Sequence, residues 1–125
     1  MTKRQQPKGR WIRVERRYAI YFRDGFKCGF CRKTLHEDKP HDIVLDHLHP
    51  LSKEGGNDSA NLLTSCRPCN GRKKDILFEE YVGIADYQRI TKQVQKDMTE
   101  FLKLGKLYTL KKFSLEECLR LVDLL

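Results

Sequence analysis

Two Cys-x-x-Cys pairs, Cys28/Cys31 and Cys66/Cys69, do most to limit what this chain of 125 residues can fold into. Four thiolates at that spacing make a closed tetrahedral set that Zn²⁺ accepts. The 34 residues between Cys31 and Cys66 exceed the gap of an ordinary zinc ribbon, so the pairs enclose an inserted functional segment. Cross-linking so long a span removes much freedom from the unfolded chain, which helps a protein near the lower end for a self-sufficient core. Four ligands leave no open position, so the ion is expected to be structural and unable to activate water. His36 and His41 then find no vacancy as ligands. Two disulfides or a redox pair are the competing readings. No apolar run suits a membrane span or signal peptide, so a cytoplasmic, reducing compartment of bacterial or phage type is expected, where such cysteines read first as metal ligands. Cys118 has no Cys-x-x-Cys partner and reads as a small buried apolar residue on a leucine-bearing helix.

Net charge is +8, which points to a polyanion, most naturally nucleic acid. The charge is uneven. Residues 1–33 carry eleven basic and two acidic side chains, residues 34–65 two basic and six acidic, and residues 77–125 eight of each. An acidic middle that can hold a cation, flanked by cations that can hold phosphate, is the division a metal-dependent phosphodiesterase needs.

Three regions follow: a flexible basic arm over 1–10, a core over 11–76, and a helical extension over 77–125. In the core, Trp11, Val14, Tyr18 and Tyr21/Phe22 recur at helical spacing up to Arg23, and Asp24-Gly25 ends that helix. Phe26–Cys31 reads as a knuckle whose Gly29 allows a tight turn. Asp42–His47 and Asn61–Ser65 read as short strands joined by a polar loop containing Gly55-Gly56-Asn57-Asp58. Pro68 suits the first turn of a helix carrying Asn70, Lys73 and Lys74. Beyond it, Tyr87, Ile90, Val94, Met98 and Phe101 mark an amphipathic helix closed by Gly105. Ser114–Glu117 is a capping box opening a last helix. Asn57 reads as a turn residue, and His49 as local structure or a substrate contact.

Asp46 and His47 are adjacent, so in a plain strand they face opposite ways, and a bend near Leu48-His49-Pro50 is needed for both to serve one site. The run Val44–Gly56, then Asn61-Leu62, Cys66-Arg67-Pro68-Cys69-Asn70 and Lys73, resembles the HNH endonucleases. The likeness extends over about residues 13–74 and includes the helix-then-knuckle stretch Phe22–Cys28. It implies a small α+β fold, a ββα-metal (His-Me finger) core stapled by a four-cysteine zinc site, with an N-terminal helix and C-terminal helices. It also implies that Asp46 and Asn70 hold one divalent cation, that His47 is the general base, and that Asn61 holds the hairpin loop and orients the imidazole. The third signature position is asparagine here where the name-giving pattern has histidine. An amide oxygen is a hard donor and suits Mg²⁺ or Mn²⁺.

The residue types support this chemistry by themselves. Histidine titrates near neutrality and can deprotonate water, and a cation beside Asp46 and Asn70 can neutralise developing charge. Lys73 and Arg72 are expected to clamp phosphate, and Arg13, Arg16 and Arg17 to bind double-stranded DNA without reading its sequence. The resemblance implies metal-dependent endonucleolytic hydrolysis, by nicking or double-strand cleavage, leaving 5′-phosphate and 3′-hydroxyl ends. The rival is a zinc-stapled, non-catalytic DNA-binding or assembly module. Residues 77–125 offer a surface for a homodimer or another protein partner.

Overall fold

The structure, a computed structural model, describes residues 12–125. The arm expected over 1–10, and Trp11 of the first helix, lie outside the described residues. Helix α1 spans Val14–Arg23, and its last five residues, Ala19 to Arg23, are all buried. Val14, expected on the buried stripe, is instead 52% exposed. The C-terminal half of the helix runs inside the molecule and is covered on every side, while the first turn lies at the rim. Asp24 caps the helix, and Gly25, at φ +69°, takes the left-handed turn that stops it.

The chain next forms the knuckle. Cys28 N–H donates to Lys33 O and Arg32 N–H returns to Cys28 O. The expectation for Gly29 needs correcting, because its role is close approach. A Cβ there would lie 2.4 Å from Leu63 Cδ2. Its N–H also donates to Thr64 O at 2.8 Å, which seats the knuckle on the second strand.

Strands β1 (Ile43–His47) and β2 (Leu62–Cys66) pair antiparallel, from Ile43 opposite Cys66 to His47 opposite Leu62. The second strand starts one residue later than expected, because Asn61 closes a 3₁₀ turn over Ser59–Asn61. Strand β2 passes directly into α2 (Arg67–Lys73), with Pro68 in the first turn, where a missing N–H costs nothing. The product is a ββα unit with a long loop between its strands.

Helices α3 (Phe78–Tyr81), α4 (Ile84–Val94), α5 (Thr99–Thr109) and α6 (Leu115–Val122) complete a small α+β fold with, among the described residues, six helices and one two-stranded sheet. The single helix expected from Tyr87 to Gly105 is broken after Val94. Asp97 restarts it, its carboxylate accepting from Thr99 N–H at 2.8 Å and Thr99 Oγ1 at 2.7 Å. Gly105 does not close a helix. It lies within α5, where a Cβ would come 2.2 Å from Glu15 O, and so lets α5 lie against α1. The capping box forms as expected, Ser114 Oγ accepting from Glu117 N–H and Glu117 Oε1 from Ser114 N–H.

Leu62 and Leu63 fall in different apolar clusters. Leu62 joins Ile20, Phe22, Phe26, Leu45, Phe101 and Cys118. Leu63 joins Leu48, Phe78, Ile90 and Val94. Alternate faces of β2 are therefore both covered. A buried ion pair fastens the layers. Arg23 grips Asp24 through Nε and Nη2 at 2.8 and 3.0 Å and also donates to Leu62 O and Ser59 O. Asp24 takes two further bonds, from Thr64 N–H at 2.9 Å and Gln93 Nε2 at 2.7 Å. Among the described residues no helix is long and apolar enough to cross a membrane.

Candidate active site and metal centre

The two Cys-x-x-Cys pairs meet. The sulfurs of Cys28, Cys31, Cys66 and Cys69 all lie within 4.8 Å of one another, and Cys31 Sγ is 3.9 Å from Cys66 Sγ. Tetrahedral Zn–S bonds of about 2.3 Å put sulfurs about 3.8 Å apart, so the cluster has the dimensions of a metal site. Its electrostatics also ask for a cation. Burial opposes ionisation of Cys28, but N–H groups of Cys31, Cys66 and Phe30 outweigh it and bring the thiol down to about 6. Burial, with the sulfurs of Cys66 and Cys28 close by, pushes Cys69 up to about 12. Four thiolates so close repel one another unless a positive ion sits among them. No disulfide joins cysteines among the described residues, and Cys118, buried in the apolar core, is not one of the four clustered sulfurs. His36 and His41 take no part in it.

Cys66 ends β2 and caps α2, and Cys69 lies in its first turn. One turn further, α2 presents Asn70 and Lys73 to the carboxylate of Asp46. Asn70 Nδ2 donates to Asp46 Oδ2 at 2.9 Å. Lys73 Nζ lies 3.0 Å from Asp46 Oδ1 and donates to the His47 carbonyl at 2.8 Å. Asp46 and Lys73 are both essentially inaccessible, at 1% and 0%. The Lys73 ammonium holds Oδ1 as an ion pair, and that buried oxygen has no other polar partner among the described residues. Burial raises the Asp46 carboxyl above its ordinary range against the opposing pull of Lys73, Asn70 and His47. A buried, under-satisfied carboxylate beside an amide is a donor set that fits a hard divalent cation.

The half-buried imidazole of His47 is held from the loop. Its Nε2 lies 2.8 Å from Asn57 Oδ1. An amide oxygen only accepts, so Nε2 is the donor in this contact, which in the neutral form of the ring makes Nδ1 the basic nitrogen. Of the two tasks that the resemblance implies for Asn61, holding the loop and orienting the imidazole, the structure shows the first: Asn61 accepts from His49 N–H at 2.9 Å and donates to the carbonyls of His49 and Gly56 at 3.0 and 2.8 Å. Asn57, expected to be a turn residue, is the amide that meets the His47 ring, a contact the sequence does not reveal. Its one signal was an amide in a loop rich in glycine. The chain does bend at Leu48 and His49, as expected, but only after β1 has kept its ladder through His47. Asp46 meets α2 while His47 meets the loop, and Lys73 spans them through the His47 carbonyl.

The expected nucleic-acid contacts divide. Lys73 is buried on Asp46, not displayed toward a phosphate. Arg72 is exposed and donates to Cys69 Sγ at 3.2 Å. Arg13 is exposed beside Glu15, Arg16 donates to Ser59 Oγ at 3.1 Å, and Arg17 to Tyr21 Oη at 3.2 Å. His49 is local structure, against Glu79 at 3.3 Å and edge-on to Phe78.

Residues 28–75 match the family model described as HNH endonuclease. No curated protein and no solved structure gives a significant match to the chain. The matched segment runs from the knuckle to just past α2, includes all four cysteines and all the contacts of Asp46 above, and points to nuclease activity on DNA.

Proposed function

We propose that the protein is a metal-dependent endonuclease that hydrolyses phosphodiester bonds of double-stranded DNA, with His47 as general base. The observation that carries this reading is Asp46, buried with Lys73 as the only partner of Oδ1 among the described residues, beside Asn70 and next in the chain to an imidazole held by Asn57. Asp46 and Asn70 would hold one Mg²⁺ or Mn²⁺, which when bound neutralises charge on the attacked phosphate and on the leaving oxygen. His47 accepts the proton of the attacking water at Nδ1. Asn57 holds the Nε2 proton and hence the tautomer, and Asn61 keeps the loop that carries Asn57 in place. Lys73 is a positioning residue, aligning the Asp46 carboxylate with the end of β1. The four cysteines would hold Zn²⁺, which fixes the start of α2 and therefore the reach of Asn70. Arg13, Arg16, Arg17 and Arg72 contribute salt-sensitive contact with the DNA backbone.

Supercoiled plasmid tests the reading. The wild-type chain should nick it in Mg²⁺ or Mn²⁺, and His47→Ala should reduce the rate by ~100-fold or more while retaining fold and metal content. Equal cutting by His47→Ala would place the base elsewhere. DNA retention with no cutting in either metal would favour the binding or assembly module.

A further inference from the structure

A cleft of about 550 Å³ opens on another part of the surface, between the knuckle, α4 and α6. Its wall includes Cys28 and Gly29 but none of Asp46, His47, Asn57 or Asn70. Five cations line it besides the buried Arg23: Lys27 and Arg32 from the knuckle, Arg89 from α4, Lys96 just beyond α4, and Arg120 from α6. Apart from the internally paired Asp24, its acidic residues are Glu116 and Asp123. Arg89 is fixed in place, donating to Gly29 O at 2.9 Å and pairing with Asp86 at 3.0 Å, and so ties α4 to the knuckle. Lys27, Arg32 and Lys96 are exposed and make no ion pair or side-chain hydrogen bond among the described residues.

We infer that this cleft is a second contact surface for the sugar-phosphate backbone of duplex DNA, distinct from the strand presented to His47. The inference rests on the proposal that DNA is the partner. Unpaired cations cost repulsion in the free protein and gain only when a polyanion arrives. Their origin in separate elements spreads them along the cleft, which suits an extended chain of phosphates better than one small anion.

The test measures binding in a His47→Ala background, by fluorescence anisotropy of a labelled duplex in Mg²⁺ over a salt series. Replacing Lys27, Arg32, Lys96 and Arg120 together by Gln should weaken binding by ~10-fold or more and lower the slope of log affinity against log salt by about 3 to 4, at ~0.9 per phosphate contact. The pair Lys96→Gln/Arg120→Gln leaves the knuckle untouched and should lower the slope by about 2. Melting temperature and metal content report whether each variant is folded. An unchanged slope in the folded pair variant overturns the inference and is the outcome expected if the cleft serves an acidic protein instead. Plasmid nicking by the unsubstituted chain is read in parallel. Loss of slope without nicking would sink the hydrolytic reading alone, whereas nicking with an unchanged slope would sink only the cleft.

Discussion

Asp24 and Asp46 are both buried, both paired with a cation and both in contact with the hairpin, yet their surroundings differ. Asp24 accepts four hydrogen bonds, from Arg23 twice, Thr64 and Gln93, with both oxygens used. Asp46 accepts one hydrogen bond at Oδ2, from Asn70, and its other oxygen has only the Lys73 ammonium, in ion-pair range at 3.0 Å. The first carboxylate is saturated and joins α1, β2 and α4. The second retains unmet capacity, and chemistry requires such capacity. Burial and charge are common to both sites, so neither distinguishes a structural pair from a reactive one. The count of donors does.

Four variants test that contrast, in falling order of effect. Asp24→Ala should cost about 3–5 kcal/mol in urea unfolding, because it strands the Arg23 guanidinium inside the protein. A loss below about 1 kcal/mol would show that this pair is not the fastener described. Asn57→Ala should slow plasmid nicking by ~10- to 100-fold, equivalent to about 1.4–2.7 kcal/mol in the barrier, with the melting curve nearly unmoved. A matching fall in melting temperature would mean that Asn57 serves the loop and not the imidazole. Gln93→Ala should cost only about 1 kcal/mol, since Asp24 keeps its other donors. The double change Asp46→Asn/Lys73→Met removes both charges at similar volume, so stability should shift by less than about 1 kcal/mol even as cleavage disappears. A penalty as large as that of Asp24→Ala would erase the distinction between the two pairs.

Features dictated by local chemistry were legible in the sequence. The thiol spacing, the two strands, the stop at Asp24-Gly25, the Ser114 capping box and the burial of Cys118 each follow from a few neighbouring residues. What escaped depended on partners distant in the chain. Gly29 and Gly105 look like turn and cap residues, but their small size is used against Leu63 and against the backbone of α1, which no local pattern reveals. Lys73 looks like a surface cation because lysine is rarely buried without a partner, and its partner is 27 residues earlier. Asn57 and Asn61 are chemically alike and share one loop. Only the folded path of residues 48–61 decides which amide meets the ring of His47 and which ties the loop ends.

Helix α2 is only seven residues long, and its first turn belongs to the sulfur cluster while its second belongs to Asp46. One extra residue between Cys69 and Asn70 would swing the amide about 100° around the helix axis and carry it off the carboxylate. The exposed stretch from His36 to Asp42 is tied to the rest of the fold only through Tyr108 to Glu37 and Arg67 to the His41 carbonyl among the hydrogen bonds described, and doubling a loop there would cost only about 0.6 kcal/mol in closure entropy. Length variation among descendants of this chain should therefore collect before the first strand and be absent from the two turns after Cys66.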